Sequence, residues 1–251
     1  MAEKSAVVTG AAMGIGRATT RRLISEGVHV VAVDVDADAL AQSFGQSGEV
    51  THLIGDVCDW DTHAEAALTA ENIAPMAYWV NNAARDIRGS AHSVTEAEMR
   101  SGYDLLALAP LFGTAIAVRT MIPHGSGSIV TISSIQGVAA FPDYYIYGTA
   151  KAALIQSARS VAIDYGSKGI RSNVILPGTI DTEMARATIP PDADAEEFMR
   201  QAGAIAPQGR VGTPEEVASA VWFLLSDESS YINGTAITVD GGSTARCFPI
   251  G

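Results

Sequence analysis

Positive charge is scarce in this sequence. Sixteen lysines and arginines face 28 aspartates and glutamates, a formal charge of -12. That balance argues against nucleic acid as a partner, because a phosphate backbone needs a basic surface. No polybasic stretch is present to attract an anionic membrane. Cysteine is nearly absent as well: Cys58 and Cys247 are far apart and form no CxxC pattern. A disulfide scaffold is therefore not expected, and a reducing cytoplasm fits. The five histidines include no pair at helical metal-ligand spacing, so no metal site is expected. The opening MAEKSAVVTG lacks the basic end and apolar core of a secretory signal. The longest uncharged apolar run, Leu105 to Val118, is short for a bilayer span and is interrupted by Pro110 and Gly113, so a buried helix is expected there.

What the chain does have is apolar mass and a regular alternation. Its 251 residues are 47% apolar, enough for a substantial core. Strand-like runs occur at Ser5–Thr9, Val28–Val33, Val50–Ile54, Tyr78–Val80, Ser128–Ile132, Ser172–Leu176 and Thr235–Val239, with helical stretches between them. Thr95 to Glu98 and Thr213 to Glu216 read as capping boxes, the second with Pro214 at the first helical position. Strands alternating with helices predict an α/β fold: a doubly wound parallel sheet of about seven strands in a single domain. No linker or repeat divides the chain. The least regular region, about 183–207, contains Pro190-Pro191 and several acids, and reads as a substrate-binding loop or lid.

Between the first strand and the first helix stands Thr9-Gly-Ala-Ala-Met-Gly-Ile-Gly16. Gly10 allows a tight turn, and Gly14 and Gly16 allow close backbone approach. The helix start then offers free N–H groups to a phosphate. The spacing differs from the commonest dinucleotide fingerprint, and glycines alone also suit a purely structural turn. Asp34, eighteen residues after Gly16 at the end of the second strand, favours the nucleotide reading. A carboxylate there accepts both ribose hydroxyls and repels a 2′-phosphate, which favours NAD(H) over NADP(H). Arg17 is compatible with phosphate binding or with an exposed helix position.

The stretch YYIYGTAK, residues 144–151, puts Tyr147 and Lys151 four apart on a predicted helix running from about Tyr144 to Tyr165. A tyrosine ordinarily titrates near ~10, too high for base chemistry at neutral pH. An adjacent ammonium is expected to lower that value, with Tyr147 as acid/base and Lys151 tuning it. A chance pair on a buried aromatic face is the plain alternative. Ser133-Ser134 end the fifth strand, where active sites of open parallel sheets lie, although serines there are also common turn formers.

Taken together these residues resemble the short-chain dehydrogenase/reductase family, from about Ser5 to Gly242. The matching pieces are TGAAMGIG (9–16), Asp34, GDV (55–57), NNAA (81–84), a serine before YxxxK, LPGTIDT (176–182), GRVGTPEEVA (209–218) and INGTAITVDGG (232–242). The resemblance implies a Rossmann-like fold, NAD as cofactor, a secondary alcohol or ketone as small-molecule substrate, and a homotetramer. It implies Tyr147 as catalytic acid/base, Ser134 polarising the substrate oxygen, and Lys151 also bonding the nicotinamide ribose. Gly10, Met13, Gly14, Ile15 and Gly16 would line the phosphates, and Asp56 and Val57 the adenine. Asn82, Ala83 and Ala84 would line the groove. Pro177, Gly178, the Ile180 backbone and Thr182 would hold the nicotinamide. Gln136, Tyr144 and Met184 would face the substrate. Met13 stands where NADP-preferring relatives often carry a basic residue. Two departures are visible: Ala84 replaces the usual glycine, and Ala107 replaces an asparagine that kinks the helix and anchors a water in the proton relay. Asp104 and Pro110 are candidates to compensate. The rival expectations are a β-ketoacyl-carrier-protein reductase using NADPH and an NAD(H)-sensing binding protein with weak catalysis.

Overall fold

The seven strand-like runs lie side by side in one parallel sheet in the computed structural model, which describes residues 3–45 and 47–245. Cys247 falls outside the described residues. The strands are β1 (Ser5–Thr9), β2 (His29–Asp34), β3 (Val50–Ile54), β4 (Met76–Asn81), β5 (Gly127–Ile132), β6 (Ile170–Pro177) and β7 (Ala236–Val239). The first half of the chain supplies helices α1 (Gly14–Ser25), α2 (Ala37–Phe44), α3 (Trp60–Ile73), α4 (Glu96–Tyr103) and α5 (Ala109–Met121). The second half adds α6 (Tyr145–Tyr165), α7 (Glu183–Arg186), α8 (Ala195–Gly203) and α9 (Pro214–Leu225).

The spatial order is β3-β2-β1-β4-β5-β6-β7. Chain direction across the sheet reverses between β1 and β4, which opens a crevice at the carboxyl ends of those strands. Alternation along β1 and β2 explains why both read as unbroken apolar runs. Ala6, Val8, Val30 and Ala32 pack with Leu23 of α1, Leu40 of α2 and Val217 and Val221 of α9. Val7, Val31 and Val33 point the other way, toward Ala66 and Ala70 of α3 and Ala117 and Val118 of α5. A strand covered on both faces has no solvent side to keep polar.

Both capping boxes form. Thr95 Oγ1 accepts from Glu98 N at 3.2 Å and Glu98 Oε2 accepts from Thr95 N at 2.7 Å, with the same pattern at Thr213 and Glu216. Arg171 closes the other end of α9, donating to the carbonyls of Leu224, Leu225 and Ser226 at 2.7, 3.0 and 3.0 Å.

One expectation needs correction, and only in part. Residues 183–207 are not wholly irregular: Glu183–Arg186 form α7 and Ala195–Gly203 form α8, and Asp194 caps α8 by accepting from the Glu196 and Glu197 amides. The acids there are helix-start residues, which composition alone cannot tell from loop residues. The Leu105–Val118 run belongs to a longer helical rod, Glu96 to His124, which is long and apolar enough to cross a membrane, but 56% of its most apolar stretch is buried in the fold. The rod is not uniform. Between α4 and α5, Asp104–Leu108 form a π-helical turn in which Ala109 N donates to Asp104 O. Pro110 follows at once and has no N–H to continue the α-helical ladder, a recognised cause of such an irregularity.

Candidate active site

The crevice at the β1/β4 switch point is an open cleft of about 800 Å³. Its nucleotide half is built mainly from backbone. Gly10 and Gly14 adopt φ of +62° and +51°, and a Cβ on Gly16 would stand 2.0 Å from the Gly10 carbonyl oxygen. Asn82 staples this turn from below, its Nδ2 donating to Thr9 O and Gly10 O at 3.0 and 2.9 Å. The side chain expected to line the groove thus spends its amide protons on the turn itself. Asn81, which the sequence reading passed over, joins three elements: it accepts from Trp79 Nε1 and donates to Thr114 and Thr131.

Asp34 ends β2 at the cleft edge. Its carboxylate accepts from Ala12 N at 3.0 Å and from Asp36 N at 3.2 Å, so its position is fixed by the glycine turn. Met13, Ile15, Asp56, Val57, Ala83, Ala84, Pro177, Gly178, Ile180 and Thr182 line the same cleft. Thr182 sits on the turn, its methyl 3.1 Å from where a Gly14 Cβ would stand, and its hydroxyl caps α7 by accepting from Ala185 N. A cradle that only glycine permits, a helix start behind it and a fixed carboxylate at one end fit a nicotinamide dinucleotide.

The other half is built from side chains. Ser134 follows β5, and its Oγ accepts from Gln136 N at 3.1 Å. Tyr147 and Lys151 lie on the first turns of α6. Ser133 fixes that helix to the sheet by donating to Lys151 O at 2.7 Å. The helix start is clasped by the segment after β4: Gly89 N donates to Asp143 O at 2.7 Å and Tyr145 N to Gly89 O at 3.0 Å. Asp143 takes φ +61°, a left-handed conformation that an aspartate tolerates better than most residues.

Lys151 is 2% exposed. Its ammonium donates to Ile132 O at 2.9 Å and lies 5.5 Å from the Tyr147 ring centroid. Burial pulls its pKa down to about 8. Tyr147 departs from expectation. Desolvation pushes its phenol up to about 12, with the Ser134 hydroxyl opposing the rise and Asp86 and Tyr144 adding to it. The ammonium is bonded to the strand carbonyl and lies over the ring face, and burial rather than the ammonium sets the direction of the shift. The arrangement holds a proton on Tyr147 at neutral pH. Tyr147 lines the cleft.

Around this pair, Tyr144 meets Tyr147 edge-on at 5.8 Å, and Arg88 lies 5.4 Å over the Tyr144 ring while pairing with Asp86 at 2.9 Å. The sequence offered no sign of Asp86 and Arg88, because the loop after β4 has no pattern of its own. Gln136 lines the cleft with its Oε1 buried and without a hydrogen-bond partner among the described residues. Met184 of α7 is 38% exposed at the rim. Ala107 is buried in a small apolar cluster with Leu106 and Ala150, against which Tyr147 packs. Asp104 lines the cleft from the π turn but is exposed and makes no side-chain hydrogen bond to Tyr147 or Lys151 among the described residues. No cluster of three metal-ligating side chains occurs among the described residues.

Comparison with known proteins places this arrangement in company. The family model described as enoyl-(acyl carrier protein) reductase matches residues 10–244. A 2-(R)-hydroxypropyl-CoM dehydrogenase of Xanthobacter autotrophicus is 34% identical over 96% of this chain and 98% of its own length. A cis-4-hydroxycyclohexanecarboxylate dehydrogenase of Sinomonas cyclohexanicum is 38% identical over 97% and 98%. The solved aldohexose dehydrogenase of Thermoplasma acidophilum superposes with a TM-score of 0.91 at 34% identity, covering 100% of this chain and 97% of that one.

Proposed function

As a member of the short-chain dehydrogenase/reductase family, this chain is an oxidoreductase that moves hydride between a nicotinamide cofactor and a secondary alcohol or ketone, and we propose that NAD(H) is the cofactor it uses. One observation carries the catalytic reading: Ser134, Tyr147 and Lys151 come from separate positions to one wall of a cleft whose other wall is the glycine turn. The cofactor choice is supported by Asp34, whose fixed carboxylate stands where a 2′-phosphate would bring a second negative charge. Met13 at the start of α1 adds no positive charge to offset it.

The cofactor supplies or accepts the hydride at its nicotinamide ring. The remaining work falls to the chain. Ser134, its hydroxyl oxygen held by the Gln136 amide, donates its proton to the substrate oxygen. Tyr147 passes its proton to that oxygen in reduction and takes it back in oxidation. Lys151 provides a buried positive charge beside the ring, which favours the phenolate when the proton leaves. A phenol pushed up to about 12 is protonated at neutral pH, so the form that reduction needs is the populated one and the phenolate that oxidation needs is scarce. Carbonyl reduction is therefore expected to run at neutral pH and alcohol oxidation to climb toward alkaline pH.

Gln136, Tyr144 and Met184 are assigned to the substrate, with the unpartnered Gln136 oxygen as the place for a substrate hydroxyl. The helical region 183–207 covers the substrate side. Exposed apolar side chains on the long helices, Tyr103, Leu108, Tyr145 and Ile163, support a homotetramer. The acidic charge and the reduced state expected of Cys58 support a cytoplasmic protein without membrane or nucleic-acid partners.

The test is a spectrophotometric panel of secondary alcohols and ketones with NAD(H) and NADP(H). It would start from cis-4-hydroxycyclohexanecarboxylate and levodione, which the names of relatives supply. NADH should appear or be consumed, and Tyr147→Phe should lower turnover by about a thousandfold with NADH binding retained. A tenfold preference for NADPH would overturn the cofactor assignment and favour the carrier-protein reductase reading. Binding without turnover on a broad panel would favour the sensor reading.

A further inference from the structure

The start of α1 already holds an anion, and the chain itself provides it. Gly14 N donates to Glu183 Oε2 at 3.0 Å. Arg17, one turn along α1, pairs with Glu183 Oε1 at 2.8 Å. Glu183 comes from 169 positions away, as the first residue of α7, directly after the β6 segment that walls the cleft. The contact is electrostatic rather than packed: the Arg17 and Glu183 side chains are 33% and 46% exposed. An amide at a helix start and a guanidinium are the partners a phosphate takes. Thr182, the preceding residue, rests on Gly14 itself, so the seat and the lid meet at one point.

We propose that Glu183 is an internal stand-in for the cofactor's diphosphate, and that Arg17 is a phosphate-binding residue masked by it in the free protein. The proposal rests on the reading that a dinucleotide occupies this cleft. One N–H and one guanidinium cannot serve a carboxylate and a diphosphate at the same place, because like charges at contact repel. Glu183 must therefore leave Gly14 and Arg17 before the phosphates settle, and α7 leaves with it. The cost of breaking its two bonds is subtracted from cofactor affinity, Arg17 turns to the phosphate, and the lid is released only when the seat is filled from outside. On dissociation Glu183 returns. Asp34 is untouched by this exchange, since its carboxylate is bonded to Ala12 and Asp36 at the other end of the turn.

Calorimetric titration of the intact protein with NADH, ADP-ribose and adenosine tests this without any turnover. Glu183→Ala should bind NADH and ADP-ribose about fivefold more tightly, the size expected of one half-exposed ion pair with one charge-assisted hydrogen bond. Glu183→Gln, which keeps the size and loses the charge, should move the same way. Adenosine, which carries no phosphate, should change by less than about twofold. Arg17→Ala should weaken NADH and ADP-ribose and leave adenosine alone. Unchanged or weaker ADP-ribose binding by Glu183→Ala, at an unaltered melting temperature, would overturn the proposal, as would an equal gain for adenosine. A wild-type protein that bound no dinucleotide would overturn the cofactor assignment and this proposal with it. Wild-type binding with no gain in the Glu183 variants would overturn this one alone.

Discussion

The two halves of the cleft solve different problems with different materials. The nucleotide half is made of backbone: a turn only glycine can follow, amides at a helix start, and Asp34 pinned by the amide of Ala12. The half proposed to do the chemistry is made of side chains whose charged forms are costly where they stand: a lysine 2% exposed and a phenol pushed up to about 12. The first half tolerates almost no added volume. The second holds its ionisable groups out of water, so it should respond most to changes of charge. Binding and chemistry can thus be damaged separately, and that separation is what experiments should try to break.

Gly16→Ala should do the most harm. Its methyl would stand 2.0 Å from the Gly10 carbonyl oxygen and 2.6 Å from Asn82 Nδ2, both parts of the turn. A loss of about 2 kcal/mol or more of stability is expected, together with loss of NADH binding. Gly48→Ala, with nothing within 4 Å of the new methyl, is the control and should stay within about 0.5 kcal/mol. Denaturant unfolding and fluorescence titration would measure both. If Gly16→Ala bound NADH normally, the cradle would not be the rigid half.

Lys151→Met should separate charge from shape. Turnover should vanish, as the buried cation goes. Burial lowers the Lys151 pKa from its ordinary 10.5 to about 8, so between those values the unfolded chain carries a proton that the folded chain has released. Stability therefore rises with pH across this window in the wild type. Unfolding curves at pH 8 and pH 10 should show that rise, and Lys151→Met should lose it. An identical slope in the variant would mean that Lys151 is not the desolvated group.

The smallest effect is expected from Ala107→Asn. The π turn before Pro110 already interrupts the helix, so turnover should stay within about threefold of the wild type. The buried site should lose about 1 kcal/mol of stability to the added polar volume. A large gain in turnover would instead show that the relay is broken in the natural chain.

Much of this was legible in one dimension. The alternation of buried runs with helical stretches located every strand to within a few residues, because the central strands are covered on both faces and are largely apolar. Capping boxes were readable because their hydrogen bonds join residues three apart. The helices at 183–207 were missed because short polar helices carry little periodicity, and an acid at a helix start resembles an acid in a loop. The π turn was half readable: Pro110 signalled an irregularity, but its form depends on how the rod packs against α6. Arg17 looked ambiguous because its partner, Glu183, is 166 positions away.

The sequence by itself determined the parallel sheet, the glycine turn and the Tyr147–Lys151 spacing, since each follows from local sterics, periodicity or helical geometry. Only the tertiary structure decided the charge states. Whether a lysine acidifies a tyrosine depends on solvent exclusion and on which acceptor the ammonium finds, here the carbonyl of Ile132. Only the tertiary structure likewise put Glu183 on Gly14, because that contact requires the ends of β1 and β6 to open onto the same crevice.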